Sequence, residues 1–370
     1  MDPISTLTSF LGLLCAAVLL LACGASSPPL DVGSGGHVNT GGAAGGDAGA
    51  GGDGGGVGGS GGGAAGTLTG PSKLSETGLY SDISNRTLAP GVIQFSVRFE
   101  AWSDGAEKER WLLLPEGAEI DTSDMDNWKF PVGTKAWKQF KRDGVLVETR
   151  LLWKQIEGKE GWFEMPYVWN PEGTEAFAAP DGLANANGTE QDVPSQQGCS
   201  SCHSMVGDVL IGPSAIQLSR EGGDGPLTEW ALAGRLSQPP LEEFEPPGTP
   251  VVKAALGYLH GNCGHCHRDG NFLASLRSMR LWLKTTDQAI EETGAYTTTF
   301  NQRTGHQFMD TTMIVVPGKP DASQLVARIQ VRDSDFDLVT GFQMPPLCTE
   351  KVDDVGVANI RAWVEQLPTP

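Results

Sequence analysis

Apolar residues recur at every second position through the first half of the chain's patterned region. Ile93, Phe95, Val97, Phe99 and Ala101 alternate with Gln94, Ser96, Arg98 and Glu100, the period of a strand with one buried face. Residues 135–141 and 145–154 flank Arg142-Asp143-Gly144, a hairpin turn signal. A further run, 162–170, follows Glu157-Gly158-Lys159-Glu160-Gly161 and stops at Pro171-Glu172-Gly173. Residues 71–195 thus predict an all-β meander, folded as a sandwich or partly closed barrel. Trp102, Trp111, Trp128, Trp137, Trp153, Trp162 and Trp169 all fall here. Indole rings can stack on sugars, but filling the domain's own core is the preferred reading.

Beyond residue 196 the period lengthens. Residues 214–220 and 227–236 predict short helices, with Pro226 near the start of the second and Leu227 and Trp230 on its apolar side. Five prolines and three glutamates between 239 and 250 mark a boundary or a surface strap. Residues 251–262 predict a helix that places Ala255, Leu259 and Cys263 on one face. Asp353-Asp354 can cap a last helix over 355–367, with Val357, Ile360, Trp363 and Leu367 on one stripe. The organisation expected is a β-rich domain (71–195), a first cysteine-bearing segment (196–250) and a mainly α domain (251–370).

The N-terminal end reads differently. Residues 10–22 are apolar but too few for a comfortable membrane span, and fit the core of a signal peptide. Leu20-Leu21-Ala22-Cys23 resembles the lipobox of bacterial lipoproteins, which implies cleavage after residue 22 and lipidation of Cys23, with Cys15 lost. An uncleaved anchor or plain secretion is the alternative; each version exports the chain. Gly24 in place of Asp points to the outer membrane, leaving the domain in the periplasm or at the cell surface. Residues 23–70 are dominated by Gly and Ala and predict a flexible tether, about 35 Å in reach. A formal charge of −19 speaks against nucleic acid as a partner and for basic soluble partners or solubility alone.

Candidate chemistry lies in two copies of Cys-x-x-Cys-His, Cys199-Ser200-Ser201-Cys202-His203 and Cys263-Gly264-His265-Cys266-His267. Two thiols three positions apart match the two vinyl groups of a haem, and the histidine that follows lies beneath the porphyrin as an iron ligand. Structural zinc needs paired knuckles about 15–20 residues apart. Here the gap is about 60, and zinc gives no reason for histidine after both pairs. Zinc and disulfides remain the alternatives to two covalently bound haem c groups held by Cys199, Cys202 and His203 and by Cys263, Cys266 and His267.

The helix entering residues 262–267, the terminal helix with Trp363, and Gln343-Met344-Pro345-Pro346-Leu347 together resemble class I cytochrome c over 251–370, with a long insert at 271–341. More broadly, 71–370 resembles a group of exported dihaem cytochromes marked by Val193-Pro194-Ser195-Gln196, Asn-Cys-x-His-Cys-His at 262–267, and Pro317-Gly318-x-Pro320-x-x-Ser323. The resemblance implies electron transfer between redox partner proteins, with Met344 as the sixth ligand of the second iron. A packing role is the alternative for Met344, and Met309 and Met313 are the next candidates. No distal ligand is evident for the first iron: Met205 lies too close to His203 in sequence, His260 and His306 could serve, and His265 belongs on the surface. An open first haem would suit a dihaem peroxidase, and the β-domain could instead dock a dehydrogenase. Cys348 is left over, for burial beside the Met344 loop or a dimer disulfide.

Overall fold

Asp143 (φ 50°) and Gly144 (φ 82°) both adopt left-handed backbone, the conformation a two-residue primed hairpin requires. They join two long strands, β5 (Lys135–Arg142) and β6 (Val145–Lys154), as the Asp-Gly signal predicts. In this computed structural model, which describes residues 68–332, 343–346 and 349–369, these strands form the middle of an antiparallel meander. Its order is β3 (Ile93–Phe95), β4 (Glu107–Leu113), β5, β6, β7 (Trp162–Trp169) and β8 (Ala176–Ala178). A small hairpin, β1 (Tyr80–Asp82) and β2 (Thr87–Leu88), precedes it.

Register assigns each side chain to a face. Trp111 pairs with Trp137, and Trp137 with Leu151; one position along, Leu112, Ala136, Leu152 and Glu164 form the next rung. Because strand side chains alternate, the two rungs point to opposite faces. The first face buries its tryptophans with Leu74, Leu79, Tyr80, Tyr167 and Trp169. The second is covered by helical residues, among them Leu218, Leu227 and Trp230. Trp230 is fully buried and meets Phe95 edge-on at 5.4 Å.

Two expectations change here. Among the described residues the β region is one open six-stranded sheet, with β3 and β8 as its edges, rather than a sandwich or barrel. Helices and the β1–β2 hairpin supply the covering layers that a second sheet would have supplied. The strand expected over 93–101 ends at Phe95. From there the chain leaves the sheet: Arg98 N–H donates to Gln217 O (2.7 Å), and Phe99 exchanges bonds with the Gln217 amide (2.8 and 3.0 Å). The alternation is real, but the apolar side chains face helices.

The helical part begins with α1 (Gln196–His203), α2 (Ala215–Leu218) and α3 (Pro226–Leu232). Then come α4 (Pro250–Asn262), α5 (Leu273–Leu276) and α6 (Gly294–Thr297). A hairpin of β9 (Arg303–Phe308) and β10 (Thr311–Met313) is followed by α7 (Gln324–Ile329) and α8 (Asp354–Gln366). Helix α4 starts at Thr249, whose side chain accepts from Val252 N–H, with Pro250 at the first helical position. Asp353 caps α8 by accepting from Gly356 N–H (2.9 Å). Leu256, Leu259, Ile360, Trp363, Val326 and Ile329 bury one core between α4, α7 and α8. Glycine makes the closest approaches possible. A Cβ on Gly257 would lie 2.1 Å from the Phe99 ring, and one on Gly261 would lie 2.7 Å from Phe99 O. No helix among the described residues is long and apolar enough to cross a membrane.

Gly257→Ala is therefore expected to lower stability by about 1–3 kcal/mol, the usual cost of overpacking, despite alanine's better helix propensity. Chemical denaturation of the two chains measures it; an equal or raised midpoint would refute the close approach of Phe99.

Candidate functional site

Helix α1 carries the whole first motif. Its N-cap Ser195 accepts from Gly198 N–H (3.1 Å), which makes Val193-Pro194-Ser195-Gln196 the start signal of that helix. Ser200, between the two cysteines, donates to Glu164 on β7 (3.0 Å) and so seats α1 on the sheet. After the helix the chain folds back under His203. The imidazole Nδ1 lies 2.7 Å from Val209 O, so Nδ1 bears the proton and Nε2 keeps its lone pair. Val209 is a buried β-branched residue held at φ 68°, a conformation that costs about 1–3 kcal/mol.

Asp208 holds that loop in place. Its carboxylate accepts from Phe130 N–H (2.6 Å), from Lys154 Nζ (3.0 Å to each oxygen) and from the Trp162 indole (3.0 Å). Lys154 also donates to Phe130 O (2.7 Å). All three partner residues come from the sheet domain, 46 to 78 residues away.

The second motif follows α4 directly. His267 N–H donates to Cys263 O (2.9 Å) and Cys266 N–H to the same carbonyl (3.1 Å), so the motif closes into one turn. Asn262 fixes its entrance: its amide accepts from Trp102 N–H (2.6 Å) and donates to Glu100 O (3.2 Å) and Tyr258 O (3.1 Å). Burial pushes the Cys263 thiol up to about 12, with Cys266 adding to it, and burial raises Cys266 to about 11. His267 Nδ1 is buried without a hydrogen-bond partner. Burial first, then Arg277 and Arg280, lowers His267 to about 4.

The fold brings the two motifs together. Asn271 donates from one amide nitrogen to Met205 O (3.2 Å), two residues past His203, and to Cys266 O (3.0 Å). Beneath them the sheet presents cations. Arg110, Lys138 and Arg150 are register partners, on the face that also carries Glu164. Arg110 is paired to Glu100 by two bonds of 2.7 Å, and Arg150 to Glu148 at 2.6 and 2.8 Å. Burial, with Arg110, Lys108 and Arg150 beside it, holds Lys138 well below the ordinary lysine range. His203 is lowered to about 4 by burial, and Lys138, Arg150 and His265 act in the same direction.

The other expected ligands distribute unevenly. Met344 is half-buried against the α4–α8 core, and its N–H donates to Arg328 O (3.0 Å). The Arg328 guanidinium acts on His267 electrostatically, while Met344 bonds the same residue's backbone carbonyl. His260 is buried, 4.1 Å from the Trp282 ring, and its Nδ1 accepts from Leu283 N–H (3.1 Å). His306 and Met309 are exposed, and Met205 is buried. His265, expected on the surface, is instead half-buried, with its Nδ1 buried and without a partner. Cys23 and Cys348 lie outside the described residues. Sequence reasoning missed Asp208, Asn271, Glu164 and the row at 110, 138 and 150; only that row left a trace, as basic residues two apart at 108 and 110.

The donor set suits covalent haem. Each motif offers two thiols within one turn with an imidazole directly after them, and Val209 O leaves the His203 Nε2 lone pair available. Among the described residues, no three His, Cys, Asp or Glu side chains converge on a common point.

Glu164 yields a pH prediction. Burial raises its carboxyl from 4.5 to about 7, against the Ser200 hydrogen bond. The native state therefore holds this proton where the unfolded chain has released it. Stability from the neutral form is complete below about 4.5 and disappears as pH rises to about 7, a loss of roughly 3 kcal/mol. Thermal melts across this range should show the decline in the parent chain and a flatter profile in Glu164→Gln; parallel profiles would contradict it. No family model, curated protein or solved structure matches the chain.

Proposed function

We propose that the chain is an exported electron carrier with two covalently bound haem c groups, one at Cys199 and Cys202 over His203, the other at Cys263 and Cys266 over His267. One observation carries this reading: two Cys-x-x-Cys-His turns about 60 residues apart in sequence are bridged by the amide of Asn271. Neighbouring attachment sites are what a relay needs, since electrons pass only over short gaps. When bound, haem supplies a one-electron iron couple.

The protein's own groups prepare that couple. Val209 O orients His203 and fixes its tautomer, so the nitrogen aimed at iron is the unprotonated one. Met344, whose N–H donates to Arg328 O, would complete the second iron, and its thioether would favour the reduced state. Glu100 and Glu148 offset Arg110 and Arg150, so among the described residues Lys138 is the cation here without a carboxylate bonded to it. In its protonated form, which burial opposes, it would favour the reduced state. The sheet serves as the platform that holds α1 and the His203 loop. Lipidation at Cys23 and the Gly-rich tether would keep the carrier at a membrane, where it meets its redox partner proteins.

Expression of the full chain with haem-maturation machinery tests this reading. Denatured protein should retain pigment and two haem masses; Cys199→Ser/Cys202→Ser and Cys263→Ser/Cys266→Ser should each lose one. A colourless chain, or pigment that acid acetone removes, would overturn it. Redox titration of Lys138→Met should lower one of two potentials, on the order of tens of mV, and leave the other unmoved. Unchanged potentials would exclude a role for Lys138 at the haem.

A further inference from the structure

We infer that His265 is the second axial ligand of the iron held at the first motif, so that a residue of one haem-attachment turn closes the coordination sphere of the other haem. The inference rests on the two-haem reading above. On that reading His267 would serve the haem held at Cys263 and Cys266, which leaves His265 for a different iron.

Placement supports the assignment. The Asn271 amide reaches Met205 O at 3.2 Å and Cys266 O at 3.0 Å, so the chain just after His203 and the chain just after His265 share one side chain. The two imidazoles lie within electrostatic reach of each other. His265 Nδ1 is buried with no protein partner, an expense of about 1–3 kcal/mol that needs an explanation.

The competing side chains are committed or misplaced. His260 uses its Nδ1 lone pair to accept from Leu283 N–H, so its Nε2 carries the proton and offers no lone pair. His306 stands exposed on β9. Met309 is exposed, and Met205 follows His203 by two residues on the proximal side. Val209 O meanwhile leaves the His203 Nε2 lone pair available for the same iron. The first haem is then bis-histidine and low-spin, with a lower potential than the Met344-ligated haem. It has no vacant position for peroxide, which argues against a peroxidase.

Spectroscopy of the haem-loaded full chain tests this. In the parent protein both ferric haems should be low-spin by EPR, and the ferrous form should bind no carbon monoxide. His265→Ala should retain two covalent haems, convert one to high-spin and bind one carbon monoxide per chain; added imidazole should restore the low-spin signal. His265→Met keeps a ligating side chain and should stay low-spin with one potential raised. It covers the case in which the alanine chain fails to fold. His260→Ala should leave both haems low-spin. Carbon monoxide binding to the parent chain, or two low-spin haems in His265→Ala without imidazole, would overturn the inference while leaving the electron carrier intact. A chain without covalent haem would overturn both.

Discussion

A buried ion pair, Asp208 with Lys154, is the constraint on which the site depends. Burying two charges is costly, and the cost is met only when every remaining lone pair and proton finds a partner. Here they do: the carboxylate takes a peptide N–H and an indole besides the ammonium, and the ammonium reaches the Phe130 carbonyl. The geometry that results is stiff. It fixes the residue next to Val209 and hence the carbonyl that orients His203. Strain at Val209 is tolerable because the neighbouring residue is anchored so firmly. The sheet domain, which contributes no thiol or imidazole to the motifs, thereby decides which nitrogen of His203 faces a ligand.

Electrostatics divides the two motifs. The first lies over Lys138 and Arg150, which belong to the sheet; at the second, His267 feels Arg277, Arg280 and Arg328 of the long insert and α7, while His265 still feels Lys138. Both histidines are kept neutral chiefly by burial, and neutrality is what iron ligation requires. Carboxylates accompany these cations: Glu100 pairs with Arg110, Glu148 with Arg150, and Asp269 with Arg280.

Local pattern was a reliable guide wherever the determinant was local. The Asp143-Gly144 turn, the cap at Asp353, Pro226 at the start of α3, and the helix leading to Cys263 all follow from neighbouring residues, and all form as expected. The alternation at 93–101 picks out Phe95 and Val97 as buried, with Ile93, Phe99 and Ala101 half-buried, but not their cover, since period two says nothing about whether a sheet or a helix lies opposite. His265 was misplaced for a related reason. Its exposure depends on whether a segment about 60 residues distant folds against it, and the polar Asn271 that mediates this contact carries no signature of its own. Asp208 is equally silent in sequence, because a lone aspartate in a loop reads as a turn residue until Lys154 and Trp162 are seen around it.

The contact of Phe99 with Gly257 and Gly261 bears on how the chain could be divided. Residues 99–104 lie along α4, and the same stretch bonds to residues 350 and 351 ahead of α8: the Trp102 indole donates to Lys351 O (3.0 Å), and Asp104 accepts from Glu350 and Lys351 N–H groups. Cutting at the proline run would strip a groove bare along the excised helix and leave Asn262 with two vacant partners. The linear border between β-rich and α-rich sequence is no mechanical joint: anything that tugs on the helix bearing Cys263 pulls on the loop leaving the sheet's edge.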